Sequence, residues 1–167
     1  MQTNPQVKYS DAFIDFVRKG VDQNYYLGTG KPNAKILIVG QESAIEEKEG
    51  WYNDNANEWE NQIANEQNFT DFKRERIFSE GHTWNKYQKL HNYIFPDQIS
   101  DTHINFEERF FTTEMSDNPA KRNLDARKKE NFTTHLKNRK NTFFKEKFIE
   151  DFPVVILACS DYIQNND

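Results

Sequence analysis

Three short stretches of the chain carry side chains able to bind or react, and each directly follows an apolar run. Gly40-Gln41-Glu42-Ser43-Ala44 comes after KILIV, Thr112-Thr113-Glu114-Met115-Ser116 comes at the end of RFFTT, and Cys159-Ser160-Asp161-Tyr162 comes after VVILA. Together they supply an amide, carboxylates, hydroxyls and a thiol. If the apolar runs are strands of an open α/β sheet, these residues stand at strand ends, where such sheets bind ligands. Gly40 is expected to let the chain turn sharply, displaying Gln41 and Glu42 at the strand tip. Plainer roles stand beside these. Glu42 could cap a helix beginning near Ser43, placing negative charge at its positive end. Glu114 could be a surface carboxylate or pair with an arginine, and Cys159 reads as a small buried hydrophobe.

The elements that must position these residues follow from spacing. Ser10 can cap a helix whose Phe13, Ile14, Val17 and Val21 recur at three- and four-residue intervals, with Gly20 near its end. YYLGTGKPN, from Tyr25 to Asn33, holds Gly28, Gly30 and Pro32 and reads as a loop. The β-branched run from Lys35 to Val39 reads as a strand buried on both faces. From Asn55 to Asn68 the sparse stripe Trp59 and Ile63 predicts a surface helix. Thr83 opens a helix with Trp84, Tyr87, Leu90 and Ile94 on one face, a stripe that reads as core, stopped before Pro96. A strand is predicted from Arg109 to Thr113, one or two helices through Leu136, Phe143, Phe144, Phe148 and Ile149, and a last strand from Val154 to Ala158. Strands alternating with helical segments predict an α/β fold, specifically a three-layer α/β/α arrangement with a mainly parallel central sheet.

At 167 residues, 35% hydrophobic and 14% aromatic, the chain suits one domain with a sizeable core, 1–167, despite a mean hydropathy of -1.00. It has no long apolar run or secretory leader, and its single cysteine fits a reducing compartment, so a cytoplasmic location is expected. The net charge of -5 argues against a generally basic surface. Charge is nevertheless uneven. Residues 41–66 hold eight acids against Lys48, and residues 121–147 hold ten basic side chains against Asp125, Glu130 and Glu146. Such blocks either coat solvated helices and face one another, or the basic one tracks a phosphate backbone. The GTG at Gly28 to Gly30 precedes its strand and lacks a third glycine, so it is no dinucleotide motif. No cofactor is called for, and the histidine and cysteine spacings predict no metal. Nucleophile-elbow, Walker and zinc deaminase signatures are absent.

KILIVGQESA resembles the first motif of the uracil-DNA glycosylase superfamily, in which a buried strand ends in Gly-Gln-Asp-Pro-Tyr or a variant. The order of the TWNKYQKL helix, the FFTTEMS strand end, a long helical region and DFPVVILACSDYI is similar too, so the resemblance covers about residues 25–164. It implies that fold, DNA as partner, and hydrolysis of the N-glycosidic bond of a deaminated or damaged base. Gln41 matches a residue whose backbone contacts the flipped base. Glu42 matches the aspartate that orients water or stabilises the oxocarbenium ion, making it the expected catalytic residue, although it is one methylene longer. Gly40, Gln41, Ser43, Ala44, Thr113 and Glu114 are the expected base- or ligand-binding set, and Lys121, Arg122 and Arg127 the expected phosphate-binding set. Ser43 and Ala44 replace the motif's Pro and Tyr. Trp51 and Tyr52 are candidate stacking rings. The histidine-containing motif that closes the superfamily's domain has no counterpart before Asp167, so the domain is expected to be short at its C-terminus. The alternative is a catalytically silent nucleic-acid-binding or protein-interaction module on the same fold, in which Glu42 is satisfied by backbone amides or a basic side chain.

Overall fold

A computed structural model of the chain describes residues 8–44, 54–65, 83–100, 103–120 and 123–164. The first helix, α1 (Asp11–Gln23), forms where its cap requires, with the Ser10 hydroxyl oxygen accepting a hydrogen bond from the Phe13 amide at 3.2 Å. It buries Phe13, Phe16 and Val17, and it ends at Asn24, whose φ of 53° closes the last turn.

The fold is mixed α/β. Among the described residues a four-stranded sheet runs in the order β1 (Thr29–Gly30), β3 (Phe110–Glu114), β2 (Ile36–Gly40) and β4 (Val154–Leu157). β2 pairs in parallel with both β3 and β4, and β1 pairs antiparallel with β3. β2 is buried throughout, as its uninterrupted apolar run predicts. Its alternate side chains enter two cores. Leu37 and Val39 join Phe13, Phe16, Trp59, Phe111 and Phe148, whereas Ile36 and Ile38 join Tyr87, Phe106 and Phe110.

The predicted loop from Tyr25 to Asn33 contains β1. Gly28 and Gly30 adopt φ of +125° and +110°, and a side chain on Gly28 would run into the Thr112 carbonyl. Only glycine permits that approach. The middle strand, expected from Arg109 to Thr113, lies one residue later and so takes in Glu114.

Two helices differ from expectation in what they bury. α2 (Asn55–Ala64) is no mere surface helix, since Trp59 is fully buried and donates from Nε1 to the Gly28 carbonyl at 2.9 Å. Asn55 also bonds both the amide and the carbonyl of Gly28. α3 (Thr83–Ile94) buries Asn85, Tyr87, Gln88 and His91, while Ile94, expected on the apolar face, is 36% exposed. Gln88 turns that face inward because its amide bonds the main chain at Asn105 and Phe106.

After β3 come α4 (Asn123–Ala126), α5 (Phe132–Asn141) and α6 (Lys147–Glu150), followed by β4 at the edge of the described sheet, with Val154, Val155 and Leu157 about half exposed. No helix among the described residues is long and apolar enough to cross a membrane.

Candidate functional site

The parallel register places Gly40 directly beside Glu114. Pairing continues past the strand ends: the Met115, Ser116 and Ala120 amides donate to the carbonyls of Gly40, Gln41 and Ser43 at 2.9, 2.8 and 3.0 Å. Residues 40–43 therefore run alongside 114–120. The chain bends at Gln41, next to the glycine expected to allow a sharp turn, but the Gly40 backbone itself avoids the left-handed region. Glycine is required there for space. A Cβ would overlap the Glu114 carboxylate oxygen Oε2 and would lie 3.0 Å from the Tyr87 hydroxyl.

Glu114 is thus folded back over Gly40. Burial pushes its carboxyl up to about 8, the nearby charge of Glu42 adds to the shift, and the Arg139 charge opposes it. At neutral pH that shift favours its protonated form. Burial and the Glu114 charge likewise push up the phenols of Tyr87 and Tyr26.

Glu42 is half-buried, and its carboxyl is also raised, by burial first. The Tyr162 hydroxyl donates to it and the Arg127 charge lies near, and both favour its ionised form. Its Oε2 is buried and accepts no hydrogen bond from any described residue. Two neighbouring carboxyls cannot easily both ionise, and here the environments divide the roles. Glu114 keeps the proton, and Glu42 is placed to carry the charge.

Tyr162 reaches Glu42 because Ser160, with φ 51°, bends the chain after β4 into the 3-10 turn Ser160–Ile163. Arg127 caps this corner, paired with Asp161 and lying 5.0 Å over the Tyr162 ring. That pairing holds the Asp161 carboxyl below the usual carboxylate range.

Thr113 faces elsewhere. Successive strand side chains alternate sides, and Thr113 Oγ1 accepts a hydrogen bond from the buried guanidinium of Arg139 at 3.3 Å. Arg139 also donates to the carbonyls of Glu114 and Tyr26 at 3.0 and 2.7 Å, and its guanidinium carbon lies 3.6 Å from the Phe143 ring centroid. It ties α5 to the end of β3. Beside it opens a cavity of about 380 Å³ lined in part by Tyr25, Tyr26, Asp117, Asn118, His135 and Arg139.

The structure accordingly brings together Gly40, Glu42 and Glu114, with Arg127 at the rim. Gln41 and Ser43 are half-buried and use their carbonyls in the pairing described, and Ala44 is exposed. Lys121, Arg122, Trp51 and Tyr52 lie outside the described residues, as does any helix starting just after Ala44. Cys159 is fully buried within the larger core. No group of three histidine, cysteine, aspartate or glutamate residues able to hold a metal occurs among the described residues. Tyr87, Arg139 and the Glu42 contact of Tyr162 were not legible from spacing. The one available signal was that Asp161-Tyr162 follows a strand end. No protein-family model, curated protein or solved structure matches this chain.

Proposed function

We propose that the chain is a uracil-DNA glycosylase-like protein, with the three-layer α/β/α architecture of that superfamily, that hydrolyses the N-glycosidic bond of a deaminated or damaged base in DNA. The observation that carries this reading is the buried Oε2 of Glu42, without a partner among the described residues, near the Glu114 carboxyl, which burial pushes towards its protonated form. Breaking the bond develops positive charge on the sugar and negative charge on the base. Glu42 stabilises the sugar and takes a proton from the attacking water. Glu114 gives its proton to the departing base, and the water's oxygen remains as the new sugar hydroxyl. Each proton transfer is of a kind that contributes about 10²- to 10⁴-fold.

The test is base release from single- and double-stranded DNA containing uracil, hypoxanthine or mismatches. Release by the native chain and a loss of about 10²-fold or more in Glu42→Gln are expected. Release undiminished in Glu42→Gln would overturn the assignment. The second reading, a silent binding module, is favoured by one observation: Tyr162 and Arg127 already engage Glu42. It predicts DNA binding without release from any substrate.

A further inference from the structure

The basic stretch is not uniformly basic once folded. Lys128, Lys145 and Lys147 pair with Asp125, Glu150 and Asp151, and Arg139 is buried. Lys137 and Lys140 form no ion pair with a described carboxylate, and Lys140 makes only a 3.4 Å contact with the Gln164 carbonyl. Both line a groove of about 180 Å³ together with Arg127, Thr133, Asp161 and Tyr162. Uncompensated positive charge therefore gathers at one place. It lies next to the carboxylates, because the Tyr162 ring in the groove wall carries the hydroxyl that donates to Glu42.

We propose that this groove binds the phosphodiester backbone of a nucleic acid, beside the nucleotide whose base enters the Glu42 and Glu114 site. The inference rests on the nucleic-acid reading of that site. Lys137 and Lys140 stand three residues apart on α5, so they share a face and meet neighbouring phosphates. Arg127 presents a planar guanidinium suited to a phosphate, which would compete with Asp161 for it. A phosphate held here brings its sugar towards Glu42. An acidic peptide would instead bring further carboxylates towards Glu42, where like charge repels them.

The experiment measures binding of a fluorescein-labelled oligonucleotide, single-stranded and as a duplex, to the full chain over a series of salt concentrations. Lys137→Glu/Lys140→Glu is compared with Lys35→Glu/Lys89→Glu, which makes the same charge change at exposed positions away from the groove. Melting temperatures verify that both variants fold. The groove variant is expected to bind about tenfold or more weakly, with a slope of log affinity against log salt smaller by about 2, and the control within about threefold of the native chain. Equal weakening of both variants, no binding by the native chain, or displacement of the oligonucleotide by poly-glutamate at matched charge would overturn the proposal. Base release is measured on the same proteins. Groove-dependent binding without release removes the hydrolytic reading alone, and release unchanged in the groove variant removes the groove alone.

Discussion

Two buried polar regions flank β2 and β3, and they have opposite characters. In the cluster around α3, the Gln88 carbonyl accepts the amides of Asn105 and Phe106 at 2.7 and 2.9 Å, while its NH₂ donates to Asn92 and Asn105. Asn92 in turn holds both backbone groups of Ser100. At the carboxyl end of the strands the polar groups are carboxyls with raised pKa, and one oxygen of Glu42 accepts nothing from the described residues. Burying a polar group is tolerable when its bonds are made and costly when they are not. The first region closes a loop onto a helix. The second keeps a cost that its described hydrogen bonds do not offset, and the proposed site is built on it.

The largest effect should come from opening the network around Gln88, whose own amide groups are paired although the Asn85 Nδ2 one turn earlier finds no partner among the described residues. Gln88→Leu strands two backbone amides and the Asn105 side-chain oxygen, and should lower stability by about 3 kcal/mol in urea denaturation. A loss under about 1 kcal/mol would mean that the cluster contributes little, and the contrast between the regions would fail. Gly40→Ala comes next. The added methyl must displace the Glu114 carboxylate or the Tyr87 hydroxyl, at a cost of about 2 kcal/mol. A neutral result would show that Glu114 is free to move aside.

Glu114→Gln sharpens the comparison most, although below about pH 4.5, where the native carboxyl is protonated folded or unfolded, its effect on stability is the smallest. Between about pH 4.5, where the carboxyl ionises in the unfolded chain, and about pH 8, where it ionises in the folded one, the folded state binds more protons. Native stability therefore falls as pH rises through that window and levels off above it. Glutamine carries no charge at any pH, so the variant should gain relative to the native chain across the same window, on the order of several kcal/mol by pH 9. Denaturation at several pH values shows it. Parallel pH profiles for the two proteins would place Glu114 in a solvated environment instead.

Much of this organisation is legible in the sequence, and the misses share a cause. The Ser10 cap, the spacing within α1 and the run from Ile36 to Val39 are local patterns, so α1 and β2 form where they predict. The buried face of α3 departs from its aromatic stripe because Gln88 meets a backbone segment 17 residues away. Trp59 is buried because its ring packs on Phe13 and Phe111 from remote segments, while its Nε1 donates to the Gly28 carbonyl. Gly40 is legible as a strand-end glycine, but its closeness to the Glu114 carboxylate is not. Its role comes from Glu114, which lies 74 positions further along the sequence.

The sequence by itself determined the alternation of strands and helices and the residues at the strand ends, because periodicity and cap chemistry act within a few residues. Tertiary structure was needed to set which strand ends lie side by side, that burial pushes the Glu114 carboxyl up, and, among the described residues, that one Glu42 oxygen lacks a donor and the Lys137 and Lys140 ammonium groups lack a carboxylate partner. Register, burial and the distance between charges are set by segments remote in the chain, and those quantities fix protonation and charge.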